Sequence, residues 1–181
     1  MSLFDPSAAP RLETERLVLR GWREDDLDGF AALMADAEVA RFLSNTLRPA
    51  SRAEAWREMA MFIGHWALRG HGLFAVEEKA TGAFVGRVGA WQPEGWPGFE
   101  LGWAIAREHW GEGYAQEAAR AAGDWIFASF PLDRIVSLIH ADNIRSQRLA
   151  QRLGMRSIAS TLHAGMPHDI WSIARADWPS A

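Results

Sequence analysis

Hydrophobic and polar residues alternate with two different periods along this chain, and the order of the periods predicts a mixed α/β fold. Segments with a period of two residues predict strands, and segments with apolar residues three and four positions apart predict helices. In chain order the predicted elements are a strand (16–20), two helices (25–35 and about 51–68), three strands (73–77, 84–91 and 99–105), a helix (114–130), a strand (134–140), a helix (144–153) and two strands (157–162 and 168–174). Seven strands interleaved with helices predict one mixed sheet with helices on its faces.

The composition fits a single folded domain. The chain has 181 residues, of which 49% are hydrophobic and 23% charged, and this is enough apolar material for a core. We expect the domain at residues 12–178, after a proline-containing lead-in at residues 1–11. The sequence contains no cysteine, which excludes disulfides, thiolate metal sites and a cysteine nucleophile. No histidine pair has a metal-ligand spacing such as His-x-x-x-His, so we expect no metal.

Charge and hydropathy restrict the classes of partner that we expect for this chain. The formal net charge is −4, without the basic excess typical of duplex binding, so nucleic acid is not an expected partner. The first residues lack the basic and apolar regions of a secretory leader. No segment approaches the roughly 18 consecutive apolar residues of a membrane helix. The sequence therefore predicts a cytoplasmic protein with no membrane partner.

A glycine-containing loop precedes the longest helix of the second half. It is Trp110-Gly111-Glu112-Gly113-Tyr114-Ala115, between a predicted strand and the helix at 114–130. Glycines allow a tight turn and a close approach of the backbone to a ligand, and a helix N-terminus offers unpaired N–H groups. The loop is therefore either a phosphate-binding loop or an ordinary glycine turn. It misses the dinucleotide-binding fingerprint, because Gln116 stands where that pattern has glycine or alanine.

Two further positions carry candidate chemistry. Asn143 and Ser146 open the helix at 144–153, where Asn143 either caps the helix or reaches a ligand amide. Glu100 stands in the apolar strand 99–105, so its carboxylate lies either on the solvent face or in a polar cleft. In a cleft, burial would raise its pKa and make it a candidate general base.

Together these motifs resemble the GNAT superfamily of acyl-CoA N-acyltransferases. The opening Thr14-Glu15-Arg16-Leu17-Val18-Leu19-Arg20 resembles the Thr-x-Arg-Leu-x-Leu-Arg start of its Rim-type branch, which includes ribosomal-protein N-terminal acetyltransferases. The run from Trp110 to Ala115, followed by Glu117 and Ala118, is similar to the branch's Trp-Gly-x-Gly-Tyr-Ala-x-Glu-Ala. Asn143-x-x-Ser146 followed by Leu153-Gly154-Met155 resembles its Asn-x-x-Ser…Leu-Gly-Phe run. The resemblance covers nearly the whole chain.

The resemblance implies a single-domain fold with a splayed pair of central parallel strands, and transfer of an acetyl group from acetyl-CoA to a primary amine. Glu100 would act as base, and Ser146 would protonate or position the leaving thiolate. Backbone groups of Trp103, Ala104 and Ile105 would bind the pantetheine arm. The remaining implied contacts with acetyl-CoA come from Gly111, Glu112, Gly113, Tyr114 and Ala115 at the pyrophosphate, and from Asn143 and Ser146 at the thioester.

Two positions depart from the broader superfamily. Glu108 stands where a glutamine or arginine is usual, three residues before the first loop glycine. Ala150 stands where a tyrosine often serves as general acid, so no tyrosine acid is expected at that place.

The sequence leaves the acceptor open between a protein N-terminus and a small-molecule amine. Trp91, Glu94 and Trp96 precede the strand that carries Glu100, and the linker between the first two helices carries Phe42, Leu43 and Asn45. These residues form either an aromatic slot with an acidic end for a cationic amine or a hydrophobic lid or homodimer contact. Two other functions remain open at this point: a non-catalytic acyl-CoA-binding sensor, and a nucleotide-binding domain that uses the same glycine loop.

Overall fold

The computed structural model describes residues 9–43 and 48–179, and its elements follow the predicted order. The strands and helices are β1 (Leu12–Glu13), β2 (Leu17–Arg20), α1 (Asp26–Ala35), α2 (Ala37–Leu43), α3 (Arg52–Arg69), β3 (Leu73–Glu78), β4 (Phe84–Trp91), β5 (Glu100–Ile105), α4 (Tyr114–Ser129), β6 (Arg134–His140), α5 (Ile144–Arg152), β7 (Arg156–His163) and β8 (Met166–Ala174). Short 3-10 turns follow β5 and β8.

Within residues 9–43 and 48–179 the sheet has eight strands rather than the predicted seven. Its order is β1-β2-β3-β4-β5-β6-β8-β7, and only the pair β5–β6 is parallel. The additional strand, β1, is two residues long and pairs Leu12 with Leu19. Two residues are too few to show a period of two, so the hydrophobic pattern does not reveal this strand.

A second difference lies in the predicted linker between the first two helices, where residues 37–43 form the helix α2. Asp36 has an extended backbone that ends α1, and its carboxylate oxygen accepts hydrogen bonds from the N–H groups of Glu38 and Val39. One acidic side chain therefore ends one helix and caps the next. Phe42 and Leu43 consequently lie on a helix, whereas Asn45 lies outside the described residues.

The two faces of the sheet bury two hydrophobic cores. On one face α4 and α5 pack over the sheet, with alanines of α4 such as Ala118 and Ala122 allowing a close approach. On the other face α1 and α3 pack together around Phe30 and Phe62. The helix α3 begins with a capping box between Ser51 and Glu54, which fixes its start.

The central parallel pair is splayed, as predicted. β5 and β6 share a single register pair, Glu100 with Val136, and the Val136 N–H donates to the Phe99 carbonyl at 3.0 Å. Beyond this pair, hydrogen bonds of side chains replace the backbone hydrogen bonds between β5 and β6. Ser137 Oγ donates to the Leu101 carbonyl at 2.7 Å, and the Leu138 N–H donates to the Glu100 carboxylate at 3.3 Å. These two side chains therefore lie between the strands where they separate.

Candidate active site

A cavity of about 530 Å³, here called the glycine-loop cavity, opens where β5 and β6 separate. It lies between the end of β5, the glycine loop and the start of α4 on one side, and α2 and α5 on the other. Most of the predicted ligand-binding residues line it, namely Trp103, Ala104, Ile105, Gly111, Gly113, Tyr114, Ala115, Asn143 and Ser146. Glu112 is not among the lining residues, and its side chain contacts His109 at 3.3 Å.

The glycine loop has the backbone conformation that its two glycines permit. Gly111 and Gly113 have φ values of 88° and 85°, in the left-handed region that residues with a Cβ rarely adopt. Gly113 is the N-cap of α4 and has no side chain that could occupy the first N–H groups of the helix. These groups remain available to an anion at the positive end of the helix dipole.

The motif at residues 14–20 contacts the glycine loop. Arg16 donates from Nη1 to the Glu112 carbonyl at 2.9 Å and from Nε to the Glu117 carboxylate at 2.7 Å. Its guanidinium lies 4.5 Å from the centroid of the Tyr114 ring. Thr14 Oγ1 also donates to the Glu117 carboxylate. Two motifs that are about a hundred residues apart in sequence are therefore bound to each other, a contact that the sequence did not reveal.

The edge of β5 offers fewer free backbone groups than predicted. Backbone groups alternate between the two edges of a strand, so Trp103 and Ile105 face the β6 side, as Leu101 does. Ala104 pairs with Arg87 of β4, and its backbone groups belong to that ladder. The Ile105 carbonyl already accepts a hydrogen bond from Trp110 Nε1 at 2.8 Å. The backbone groups of Trp103 and the Ile105 N–H therefore remain for a ligand.

Three arginines that the sequence analysis missed line the same cavity. They are Arg145, Arg148 and Arg152, which are three and four residues apart and so share one face of α5. The Arg145 guanidinium lies 4.3 Å from the centroid of the Trp110 ring. The helical spacing of the three was the signal available in the sequence. Glu108, the departure from the superfamily pattern, does not line this cavity.

A second cavity of about 360 Å³, here called the Glu100 cavity, lies on the α3 side of β5. Glu100 is buried, with 8% of its surface exposed, which decides between the two predicted environments in favour of a cleft. Its carboxylate accepts hydrogen bonds from Trp96 Nε1 and from the Leu138 N–H. Burial raises the pKa of Glu100 to about 7, although these hydrogen bonds and the charge of Arg87 act in the opposite direction.

The two cavities meet around Ser146. The residues that line both of them are Phe42, Leu43, Trp103, Asn143 and Ser146. Trp103 Nε1 donates to Ser146 Oγ at 3.2 Å, and the Ser146 N–H donates to Asn143 Oδ1 at 3.2 Å. Asn143 thus caps α5 and borders both cavities at once, so its two predicted roles are compatible.

Three of the four predicted acceptor-binding residues, Phe42, Trp91 and Trp96, line the Glu100 cavity. The fourth, Glu94, does not. Its side chain is 96% exposed and pairs with Arg69 at 3.0 Å, because the loop turns outward between β4 and β5. The acidic groups of this cavity are instead Glu58 of α3 and Glu100.

Three histidines also border the Glu100 cavity and were not assigned to a site from the sequence. His168 lies 5.2 Å from His140 and 5.4 Å from His163 between ring centroids, and His163 lies 4.9 Å from Trp96. His140 and His168 are register partners on β6 and β8, a neighbourhood that appears only once the sheet order is known. Across residues 9–43 and 48–179, no group of three histidine or acidic side chains is arranged to hold a metal ion.

Comparison with known proteins agrees with the family resemblance of the sequence motifs. A family model described as an acetyltransferase (GNAT) domain matches residues 16–156. YkkB of Bacillus subtilis (strain 168) is 34% identical over 157 residues, which is 82% of this chain and 87% of YkkB. The N-acetyltransferase p20 of Bacillus licheniformis is 31% identical over 147 residues, which is 80% of this chain and 82% of p20.

Solved structures have the same fold. An acetyltransferase from Agrobacterium tumefaciens str. C58 is similar with a TM-score of 0.80 and 28% identity, over 92% of this chain and 95% of that one. RimL, a ribosomal L7/L12 alpha-N-protein acetyltransferase solved in complex with coenzyme A, has a TM-score of 0.74 at 15% identity, over 91% and 98% of the two chains. None of the helices in the described ranges is long and apolar enough to cross a membrane.

Proposed function

Because the chain belongs to the GNAT acetyltransferase family, we propose that it transfers the acetyl group of acetyl-CoA to a primary amine by direct attack while both substrates are bound. The observation that carries the proposal is the meeting of two cavities at one hydroxyl, that of Ser146. A donor in the glycine-loop cavity and an acceptor in the Glu100 cavity would have their reacting ends side by side, as direct transfer requires.

The glycine-loop cavity suits acetyl-CoA. The free N–H groups of the loop and the N-terminus of α4 would hold the pyrophosphate, and the arginines at 145, 148 and 152 bring positive charge for the phosphates. The backbone groups of Trp103 would pair with the amides of the pantetheine arm, as an added strand does, and this leaves the Ile105 N–H for the thioester carbonyl. Asn143 and Ser146 would lie at the thioester.

Glu100 is the proposed general base. Free amines are mostly protonated near neutral pH, since α-amines have a pKa of about 7.7–8.0 and lysine amines about 10.4. An amine must lose this proton before it attacks the thioester. Because the pKa of Glu100 is raised to about 7, its carboxylate is partly ionised at neutral pH yet basic enough to take the proton, directly or through water.

The proposed reaction conserves every proton. Glu100 takes the proton of the ammonium group and releases it to solvent. The neutral amine nitrogen then bonds to the thioester carbonyl carbon and passes a second proton to Glu100, which solvent also removes, while the Ile105 N–H supports the negative charge on the carbonyl oxygen. The carbon–sulfur bond then breaks, and the thiolate takes a proton from Ser146, which solvent restores. The indole N–H of Trp103 only donates, so the hydrogen of the Ser146 hydroxyl stays free for this step. Without a cysteine, no acetyl-cysteine intermediate can form.

The dimensions of the Glu100 cavity favour a small-molecule amine over a protein N-terminus as the acceptor. Its volume of about 360 Å³ is within the range of small-molecule sites. Aromatic side chains of Phe42, Trp91 and Trp96 line it and would contact an apolar part of the acceptor. RimL is named for a protein substrate, and a peptide arm in the assay below tests that alternative.

The experiment is a transfer assay with isotope-labelled acetyl-CoA and a panel of small amines, amino acids and peptides, read by mass spectrometry. Wild type should give an acetylated product with at least one acceptor, and Glu100→Gln should reduce kcat by about 10²-fold or more near neutral pH. Glu94→Gln is the matched control, because it removes an exposed carboxylate from the neighbouring loop and should change little. No product with any acceptor would contradict the proposal.

A further inference from the structure

The lining of the Glu100 cavity contains a largely buried arginine that the proposed reaction does not use. Arg87 of β4 lines the cavity with 12% of its side chain exposed. Its Nε is fully buried and has no hydrogen-bond partner within the described ranges. The carboxylate of Glu58 lies 3.8 Å from Nη2, within the range of an ion pair but beyond hydrogen-bond distance.

This environment is a costly one for a guanidinium. Arginine has five N–H donors, and a buried charge whose donors are unmatched destabilises a fold unless something compensates. Burial accordingly lowers the pKa of Arg87, against the charges of Glu58 and Glu100. On its other side the guanidinium lies 5.0 Å from the centroid of the Phe62 ring, which provides no acceptor oxygen. A partner with carboxylate oxygens would satisfy the free donors.

Arg87 and Glu100 lie on the same face of the sheet. Arg87 is opposite Ala104 in the register, and Trp91 is opposite Glu100. Residues an even number of positions apart on a strand share a face. One surface is therefore formed by Arg87 and Trp91 on β4 together with Glu100, Gly102 and Ala104 on β5. Residues 87 and 91 are separated along β4 by about 13 Å, and the positive charge of Arg87 acts on the Glu100 carboxylate. Gly102, without a side chain, leaves space between them.

We propose that the amine acceptor also carries a carboxylate, as amino acids do, and that Arg87 binds this carboxylate while the amine lies near Glu100 and the thioester. The inference rests on the proposed function and adds the class of the acceptor to it. Glu58, at 3.8 Å from Nη2, leaves donors of the guanidinium unpaired, and the apolar part of the acceptor contacts Phe42, Trp91 and Trp96. Arg87 is a specificity-determining residue in this account, and the proton transfers remain with Glu100 and Ser146.

The test compares acceptors that differ only at the carboxylate: L-phenylalanine, L-phenylalaninamide and phenethylamine, with L-leucine and its amide as a second series. For wild type, kcat/KM should be at least tenfold higher for the acids than for the amides, mainly through a lower KM. Arg87→Gln should bring the ratio of acid to amide close to one, and Arg87→Lys should give an intermediate ratio. Glu58→Gln should raise the ratio, because it removes the competing carboxylate.

The same variants are also studied by calorimetric titration of L-phenylalanine and its amide into the complex with CoA, which needs no turnover. Folding of each variant is checked by its affinity for CoA. Acids and amides that bind and react equally well in wild type would overturn the inference and leave acetyl transfer intact. An unchanged ratio in folded Arg87→Gln would also overturn it. Loss of transfer to every acceptor, with the carboxylate preference kept in binding, would contradict the proposed function instead.

Discussion

The indole Nε1 of Trp103 donates a hydrogen bond to the hydroxyl oxygen of Ser146, at 3.2 Å, where the two cavities meet. This contact joins β5 to α5 across the opening between the splayed strands. Because an indole N–H only donates, the serine hydroxyl accepts at this contact and its hydrogen remains available to donate.

If Ser146 protonates the thiolate and Trp103 acts through it, their effects on catalysis are not additive. Ser146→Ala should lower kcat by about tenfold, a modest loss because a thiolate is a good leaving group. Trp103→Phe should lower kcat less, and the double variant should resemble Ser146→Ala alone. Steady-state kinetics at saturating acetyl-CoA measure this cycle. Independent, multiplying losses would show that the contact has no role in the reaction.

The contact between Arg16 and the glycine loop should be visible in CoA affinity. Arg16 binds the Glu112 carbonyl and the Glu117 carboxylate, so Arg16→Ala releases the loop from β2. We expect the Kd for CoA in a calorimetric titration to rise about tenfold, since one charge-assisted pair is worth roughly that factor.

Arg11→Ala is the control, because Arg11 is an exposed arginine in the same N-terminal segment that pairs only with Glu13 among the described residues. Its Kd for CoA should equal that of wild type. An equal rise in both variants would mean that general loss of positive charge, rather than the loop contact, changes the affinity.

The raised pKa of Glu100 has a consequence for folding. The ordinary pKa is 4.5 and the folded value is about 7, so between these pH values the folded state binds more protons than the unfolded state. Stability contributed by the neutral carboxyl is therefore present below pH 4.5 and is lost as the pH rises to about 7, by up to about 3 kcal/mol.

Glu100→Gln keeps a neutral group of the same shape and removes this dependence. Chemical denaturation should show the variant to be more stable than wild type near pH 8, with the difference shrinking toward pH 5. A variant that is less stable than wild type at the higher pH would contradict the burial of an ionisable Glu100.

Trp96 adjusts the basicity of Glu100. Its indole N–H donates to the carboxylate and thereby lowers the pKa that burial raises. Trp96→Phe keeps an aromatic ring but removes the donor, so the acidic limb of the pH–rate profile should move to higher pH. Trp56→Phe serves as control, because Trp56 is half exposed on α3 and lines neither cavity. An acidic limb at the same pH in Trp96→Phe as in wild type would show that the indole N–H does not lower the pKa of Glu100.

The sequence predicts the fold well wherever elements are long or carry a motif. The hydrophobic residues of the helix from Tyr114 and of the strand containing Glu100 recur with clear periods. The two glycines of the loop indicate its tight backbone turn. The pattern misses β1 and α2, because two and seven residues carry too little periodicity.

The acceptor side of the site was less predictable for a different reason. Strand register and helix packing bring together Arg87, Glu58 and the three histidines. Neither strand register nor helix packing has a signature in the local sequence. Glu94 does not line the cavity, because proximity in sequence to Trp96 says nothing about the direction in which a loop turns. The tryptophans at 96 and 103 make their hydrogen bonds to Glu100 and Ser146 through the indole N–H, and hydropathy counts only their rings.

The most direct test of the central claim is the pH dependence of kcat/KM for the amine acceptor, measured for wild type and Glu100→Gln at fixed acetyl-CoA. We expect the wild-type rate to fall below an apparent pKa of about 7, where Glu100 becomes protonated. Glu100→Gln should be slower throughout, and its acidic limb should follow only the ionisation of the acceptor amine. The same profile and the same rate in both proteins would contradict Glu100 as the base.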